Sequence, residues 1–212
     1  MPPTILAATE DVLVIDKPAG LPLDPGRQGG PSLAELLPAL AVGRRFPPAP
    51  AHRLDRDTAG CLVLARHRRA LRSLHQAFAE GRVRKTYWAV LVGTLAEEAG
   101  EIALPLAKIS SPRAGWRIVP DAAGRPARTR FRVLGRGPGL TWVEFTPETG
   151  RTHQLRAHAA AVGHPILGDA RYGGGEGPLH LLARHIVLPG GVEATAPLPA
   201  HMQAAIRACG GA

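Results

Sequence analysis

The stretch that decides the fold is a polar segment followed at once by an apolar one. Residues 51–60 are Ala-His-Arg-Leu-Asp-Arg-Asp-Thr-Ala-Gly, and residues 61–65 are Cys-Leu-Val-Leu-Ala. The apolar run predicts a strand, and the polar segment before it predicts a loop that carries charge. That loop holds Asp55 and Asp57 beside arginines, whose positive charge favours the ionised carboxylate at neutral pH. Taken alone, Asp55 is equally typical of a turn or of a helix cap.

Short strands dominate the sequence on both sides of this stretch. Apolar and β-branched runs bounded by glycine, proline or aspartate predict strands at 11–16, 83–92, 102–106, 116–119, 127–134, 140–146 and 186–188. Apolar residues at helical spacing predict helices that begin at Ser32, span 71–78 and 149–162, and close the chain at 198–208. Because strands outnumber helices and hairpins are frequent, we predict an α+β fold with a mixed, largely antiparallel sheet and flanking helices.

Two further segments carry chemically useful side chains. The predicted strand at 83–92 contains Lys85 and Tyr87, which alternation places on one face. Tyr87 is suited to stacking on a base, and it is equally typical of an ordinary sheet aromatic. The segment 149–158 is Thr-Gly-Arg-Thr-His-Gln-Leu-Arg-Ala-His, a glycine-led turn into a helix. Its Arg151 and Arg156 favour a bound anion, and a solvated basic face explains them as well.

The charge of the chain favours a polyanionic partner. The 212 residues include 23 arginines and only 3 lysines, and the formal net charge is +9. Basic side chains bind nucleic acid by releasing counterions from its phosphates, and arginine grips phosphate with a bidentate fork. A genome of high GC content produces the same bias toward Arg, Ala, Gly and Pro. Charge alone therefore leaves nucleic-acid binding as one of two explanations.

Several classes of protein are excluded or disfavoured. No apolar run approaches the length of a membrane span, and the N-terminal residues lack the pattern of a signal peptide, so we expect a cytoplasmic protein with no membrane partner. No phosphate-binding P-loop motif is present, and the glycines at 173–177 lie in a late loop. The histidines lack metal-ligand spacing, and Cys61 and Cys209 make no zinc site, so we expect no metal and no cofactor. We expect one domain over residues 1–212.

The three charged segments, in this order, resemble the RluA-type family of RNA pseudouridine synthases. That family has a His-Arg-Leu-Asp-x-x-Thr-Ser-Gly segment, a Lys-x-Tyr strand and a Gly-Arg-x-His-Gln-Leu/Ile-Arg-x-His segment. The matching residues here are 52–60, 85–87 and 150–158, with further likeness at 13–20, 163–169 and 172–173. One departure is Ala59, which stands where the family usually has serine and removes a hydroxyl near the catalytic loop.

The resemblance implies that the chain isomerises uridine in RNA to pseudouridine without a cofactor or group donor. By this likeness Asp55 is the catalytic carboxylate, either as nucleophile at C1′ or as base at C2′. Arg151 pairs with Asp55, Tyr87 stacks on the target ring, and Leu155 forms an apolar wall against the uracil. Arg53 occupies the position of the flipped nucleotide or contacts neighbouring phosphates.

The resemblance also sets expectations for binding and organisation. His52 and Arg156 complete the expected substrate-binding set, and arginines at 66–72, 82 and 84 are expected to grip RNA. We expect the family's single catalytic domain, with a bent sheet crossed by an active-site cleft and no N-terminal S4-type domain. The expected partner is a stem-loop of tRNA or rRNA, with tRNA favoured because no accessory domain is expected, and the expected state is a monomer. The alternative is a non-catalytic RNA-binding relative that uses the same basic cleft.

Overall fold

The chain is divided into two compact units. The computed structural model describes residues 2–25, 30–111 and 115–211, so part of the loop predicted at 24–31 lies outside the described residues. The first unit contains Met1–Lys85 and Leu182–Pro197, and the second contains Thr86–Leu181 and Leu198–Ala212.

The described residues form strands and helices that alternate irregularly along the chain. The strands are β1 (Ile5–Ala8), β2 (Val12–Lys17), β3 (Ala49–Pro50), β4 (Ala59–Ala65), β5 (Arg84–Val92), β6 (Ala99–Ile102), β7 (Leu106–Ser111), β8 (Gly115–Pro120), β9 (Thr129–Gly137), β10 (Leu140–Pro147), β11 (Leu181–Val187) and β12 (Glu193–Thr195). The helices are α1 (Leu33–Leu36), which runs on into a 3₁₀ turn, α2 (Arg68–Ala79), α3 (Gln154–Ala161) and α4 (Ala200–Ala208).

The first unit is built around β4, whose seven residues are all buried. Antiparallel β2 lies on one side of β4 and in turn pairs with β1. On the other side β11 pairs with β4 in parallel, and β12 pairs with β11. Helix α2 packs on β4 through Ala70, Leu74 and Ala77, which lie on one helical face. The residues of the deciding stretch therefore form the central strand of this unit and the loop that precedes it.

The second unit is an antiparallel meander with a separate hairpin. Strand β10 pairs with β5 and β9, and β9 pairs with β6. Apolar side chains of β5, β10 and α3 share a core with Ile166, Leu179 and Leu181. Strands β7 and β8 form a two-stranded sheet of their own, and α3 contacts β8. The hairpin thus packs against α3, the helix that directly follows the Arg151 turn.

The predicted α+β class with a mixed, mostly antiparallel sheet is confirmed, since β4 and β11 pair in parallel whereas β2–β4, β5–β10, β9–β10 and β6–β9 pair antiparallel. The strand expected at 102–106 is wrong: β6 ends at Ile102 and β7 begins at Leu106. Pro105 between them has no N–H to donate to a ladder. The helix expected from Thr149 begins only at Gln154. The predicted cleft across the sheet stays a prediction.

Candidate active site

Asp55 opens a tight turn that leads directly into β4. Its carbonyl oxygen accepts a hydrogen bond from the Thr58 N–H at 3.2 Å, which closes a four-residue turn. The residue before it, Leu54, is buried, while the Asp55 side chain is half-buried. Arg56 and Asp57, at the centre of the turn, are exposed. Leu54 thus anchors the loop in the core, and the next side chain keeps access to the surface.

A buried lysine holds this turn in place. The Lys17 side chain is fully buried, and its ammonium donates to the carbonyl oxygens of Arg56, Pro18 and Leu21 at 2.8–2.9 Å. The Gly20 N–H donates to the same Arg56 oxygen at 3.0 Å, and the Arg56 Nε donates back to the Gly20 oxygen at 3.1 Å. The Asp55 loop and the turn after β2 are therefore linked by hydrogen bonds that end on backbone carbonyl oxygens of both segments.

The charge of Lys17 is balanced by carboxylates of the same region. Burial lowers the pKa of Lys17 to about 8, and the negative charges of Asp57, Asp55 and Asp16 oppose that shift. A neutral lysine keeps two donors, so the clamp is strongest while the ammonium has three. Lys17 was not among the predicted site residues. The signal that could have found it is its place in the Lys17-Pro-Ala-Gly20 turn, which resembles the family.

Gly60 fixes the exit from the loop. Its φ is +106°, and a Cβ atom placed there would lie 2.3 Å from the Ala183 carbonyl oxygen of β11. Glycine alone satisfies both the backbone conformation and the close approach of the parallel neighbour. The residue before it, Ala59, is 4% exposed and pairs with Leu182. A serine hydroxyl at this position would be buried.

His52 and Arg53, at the front of the loop, differ in accessibility. The His52 Nε2 accepts a hydrogen bond from the Val63 N–H at 3.0 Å, and its ring lies 4.7 Å from that of Phe78. Burial, with a smaller contribution from the charge of Lys85, lowers the pKa of His52 to about 3. The ring is thus neutral and bonded to the backbone, whereas we expected a substrate contact. Arg53 is exposed.

Arg151 lies in a turn that a buried glutamine shapes. The Gln154 Oε1 accepts hydrogen bonds from the Thr149 hydroxyl at 2.7 Å and from the Arg151 N–H at 3.0 Å. Its Nε2 donates to the Arg128 carbonyl and to the Thr129 hydroxyl, both at 3.0 Å. These bonds hold residues 149–153 out of the helix, which explains why α3 begins at Gln154. Arg151 itself is exposed, and its Nε donates to the Pro126 oxygen at 3.0 Å.

His153 and Arg156 belong to a buried network behind this turn. Arg156 forms a bidentate ion pair with Asp169 at 2.7 and 2.8 Å, and the two side chains are only 8% and 0% exposed. His153, whose φ is +51°, is bonded to Arg156 at 3.2 Å and to the Tyr172 hydroxyl at 3.1 Å. The ring of Trp116 on β8 lies 4.9 Å from that of His153. Arg156 was expected to bind substrate, and that contact stays a prediction beside its ion pair with Asp169.

Tyr87 and Leu155 both adjoin the core of the second unit. Tyr87 pairs with Phe145 across β5 and β10, and its half-buried ring packs against this core. Leu155, on the first turn of α3, is 7% exposed and belongs to the same core. Their proposed contacts with a uracil ring stay predictions.

Neither a metal site nor a membrane span is found in the described part of the chain. No three His, Cys, Asp or Glu side chains among residues 2–25, 30–111 and 115–211 are grouped to hold a metal ion. Within the same ranges, every helix is too short or too polar to cross a bilayer.

Comparison with known proteins identifies the family. Residues 11–161 match the family described as RNA pseudouridylate synthase. An uncharacterized RNA pseudouridine synthase of Zymomonas mobilis is 50% identical over 170 residues, which are 80% of this chain and 78% of the relative. Ribosomal large subunit pseudouridine synthase C of Escherichia coli K12 is 41% identical over 170 residues, which are 80% of this chain and 53% of the relative.

The fold agrees with solved members of the same class. The human RNA pseudouridylate synthase domain containing 4 superposes with a TM-score of 0.83 at 27% identity, covering 97% of this chain and 92% of that one. This chain belongs to the RNA pseudouridylate synthase family, a class of isomerases that act on RNA. It spans about half the length of the relatives named ribosomal large subunit pseudouridine synthase C.

Proposed function

We propose that the chain converts uridine to pseudouridine in structured RNA and that Asp55 is its catalytic carboxylate. The observation that carries the proposal is the placement of Asp55: a half-exposed aspartate on a turn that is clamped by Lys17 and followed at once by the central strand. A reactive group needs a fixed position, and a rigid scaffold under a short loop provides it.

The proposed reaction is an isomerisation in which no atom is gained or lost. The bond between N1 and C1′ breaks, the uracil turns, and a bond forms between C5 and C1′. The proton leaves C5 and N1 takes one up, so the reaction requires no redox partner. Asp55 acts either as nucleophile at C1′ or as base at C2′.

The remaining residues are proposed to orient Asp55 and the base. Arg151 pairs with Asp55 and orients its carboxylate, since a guanidinium can hold a carboxylate with two parallel hydrogen bonds. Tyr87 stacks on the target ring and assists removal of the C5 proton, and Leu155 provides the apolar wall. His52 and Arg156 complete the proposed substrate-binding set, and their bonds to Val63 and Asp169 hold the two side chains in place.

Catalysis at C1′ requires the nucleotide to leave its stack, at a cost of a few kcal/mol. Arg53 is proposed to occupy the vacated position or to hold adjacent phosphates, which agrees with its exposed side chain. Recognition then depends on the shape of a stem-loop and on its unstacked bases. We propose that the protein acts as a monomer, in the cytoplasm and without a metal ion.

The relatives favour ribosomal RNA over transfer RNA as the substrate. Several matches at 36–41% identity are named ribosomal large subunit pseudouridine synthase C. We therefore propose a uridine in large-subunit rRNA as the first candidate and a tRNA stem-loop as the second. Pseudouridine mapping of total RNA from a deletion strain and its parent identifies the target, because the target position carries pseudouridine in the parent and unmodified uridine in the deletion strain.

Complementation of the same strain distinguishes a catalytic protein from a non-catalytic RNA-binding relative. Complementation with the wild-type gene restores the missing pseudouridine, whereas the Asp55→Asn gene does not. Asp57→Asn, in the same turn and exposed, is the matched control and restores it. If no position loses pseudouridine in the deletion strain and the purified protein modifies neither rRNA nor tRNA, the protein is a binder and the proposal is wrong.

A further inference from the structure

Helix α2 presents arginines that have no acidic partner. Arg68, Arg69 and Arg72 are all exposed, and the described residues give none of them an ion pair or a hydrogen bond to a carboxylate. No acidic residue occurs between Asp57 and Glu80 in the sequence. The surface formed by these three side chains is called the α2 basic face below.

The arginines on and just before β9 contrast with those on α2, because each of them has an acidic partner. On β9, Arg130 is paired with Glu101 and Glu148, and Arg132 is paired with Glu144 at 3.0 Å. Arg128, just before β9, is paired with Glu101 and Glu148. Arginines of this sequence are therefore paired with carboxylates on one surface and left without them on another. On α2, three such arginines lie together on one helix.

The three side chains project from one side of the helix. Successive helical residues are about 100° apart, so Arg68, Arg69 and Arg72 fall within an arc of about 100°. The buried face, formed by Ala70, Leu74 and Ala77, points the other way into β4. Residues three and four apart have Cβ atoms about 5–6 Å from each other, so long guanidinium side chains can reach one anionic surface together.

Two neighbouring arginines have other roles and are excluded from this face. Arg66 donates to the carbonyl oxygens of Thr9 and Val42, both at 2.8 Å, and so fastens loops. Arg82 is paired with Glu80 at 2.6 Å. Of the arginines that the sequence suggested at 66–72, 82 and 84, the three on α2 and Arg84 on β5 are exposed and have no ion pair among the described residues. Arg84 lies outside the helix and is not part of the α2 basic face.

Folding does not account for these arginines either. Arg68 and Arg69 lie in the first turn of α2, where the helix dipole disfavours positive charge. Three like charges at spacings of one, three and four residues also repel each other. These arginines therefore destabilise the free helix, and an anionic partner that binds them would offset this effect.

We infer that the α2 basic face binds the phosphate backbone of the RNA substrate, away from the target nucleotide. The inference rests on the proposed function only for the identity of the polyanion. Guanidinium forks bind phosphate oxygens in bidentate fashion, and such contacts position an RNA without reading its sequence. The α2 basic face would thus contribute affinity and orientation, and the Asp55 loop the chemistry.

The test compares two triple variants that lose the same charge. Arg68→Gln/Arg69→Gln/Arg72→Gln removes the α2 basic face, and Arg128→Gln/Arg130→Gln/Arg132→Gln removes three paired arginines. Both are made in the Asp55→Asn protein and in the wild type. Binding to an RNA stem-loop with a uridine-containing loop is measured from 50 to 200 mM salt, and the melting temperature of each protein is recorded.

The expected result is a weaker and less salt-dependent complex for the α2 variant alone. Three phosphate contacts contribute a slope of about 2 to 3 in log K against log salt, which is roughly a 20- to 40-fold change over this range. The slope of log K against log salt should become smaller by this amount in the Arg68/Arg69/Arg72 variant. It should stay unchanged in the Arg128/Arg130/Arg132 variant. The melting temperature of the α2 variant stays level or rises, because like-charge repulsion is removed.

Two outcomes overturn the inference. Equal losses in both variants mean that net charge, and not the α2 basic face, drives binding. An unchanged slope in the α2 variant means that the face has another partner, such as an acidic protein surface, or none. Neither outcome affects the proposed function, which is tested separately by pseudouridine formation in the wild-type background.

Discussion

The loop that carries Asp55 and the turn that carries Arg151 are both rigid, but they are held by different means. The Asp55 loop is held from outside its own segment, by Lys17 across 39 positions of sequence. The Arg151 turn is held from within, by Gln154 three residues further on. Both supports use buried polar groups that bond to backbone atoms.

This difference explains what each motif contains. A turn that carries its own support must keep the supporting residue at fixed spacing, as Gln154 is in the segment 150–158. A loop supported from elsewhere can have exposed residues such as Arg56 and Asp57 between its essential positions. Substitutions should therefore loosen one region and leave the other intact.

The largest effect is expected at the exit of the Asp55 loop. Gly60→Ala forces a positive φ and a clash with the Ala183 carbonyl, so the free energy of unfolding should fall by about 3 kcal/mol or more. Gly81→Ala is the matched control: φ is +70° there, but no atom lies within 4 Å of the added Cβ. It should cost about 1–2 kcal/mol in chemical denaturation. Equal losses in the two variants would contradict the close approach of β11.

Next comes the internal support of the Arg151 turn. Gln154→Leu removes the four hydrogen bonds that its side-chain amide makes with Thr149, Arg151, Arg128 and Thr129, which should cost about 2–4 kcal/mol. Amide exchange at Arg151 should accelerate while that at Gly20 is unchanged, which hydrogen-exchange NMR can resolve. Gln76→Leu, on the exposed side of α2, should be within about 0.5 kcal/mol of wild type. Faster exchange at Gly20 as well would mean that the two supports are not separate.

His52 makes the Asp55 region sensitive to acid. Its pKa is about 3 in the folded protein against an ordinary value of 6.5, so the unfolded chain binds more protons between these values. The contribution of His52 to the free energy of unfolding is fully present above about pH 6.5 and decreases as the pH falls toward 3. At pH 5 the free energy of unfolding should be lower by about 2 kcal/mol. Denaturation of wild type and His52→Gln at pH 5 and 7 measures the difference. Parallel pH profiles of the two proteins would show that His52 is not held neutral.

The smallest effect on stability is expected for the support of the Asp55 loop. Lys17→Met keeps the apolar stem and removes a buried charge together with its hydrogen bonds, so the net change should be about 1 kcal/mol. Exchange at Gly20 and Thr58 should accelerate, exchange at Arg151 should not, and turnover should fall more than RNA affinity. A variant with wild-type turnover and mobile Gly20 and Thr58 amides would show that the clamp has no part in catalysis.

The sequence predicts local features of the fold well and distant partners poorly. Strand β4 and the face of α2 follow from apolar spacing, which is a local signal. Short β1 and β12, which lie beside longer strands, carry too few residues for a pattern. The late start of α3 was missed because Gln154 competes for the backbone of its own first turn.

The candidate site shows the same limit. The resemblance supplied Asp55, Tyr87 and Arg151, but no spacing rule links Lys17 to Arg56 or Arg156 to Asp169. These pairs form only when separate segments fold together. Arg156 and His52 are polar residues in a family motif, and for that reason they were expected to bind substrate. Their hydrogen bonds to Asp169 and Val63 indicate that such a motif also contains residues that link it to neighbouring segments of the fold.

The central claim is that the carboxylate of Asp55 performs the chemistry. The most direct test is single-turnover pseudouridine formation on the mapped RNA by wild type, Asp55→Asn and Asp57→Asn, at equal RNA occupancy. We predict that Asp55→Asn folds, binds RNA and is slower by at least about a thousandfold, while Asp57→Asn stays near the wild-type rate. Pseudouridine formed by Asp55→Asn at a rate close to that of wild type would contradict the account.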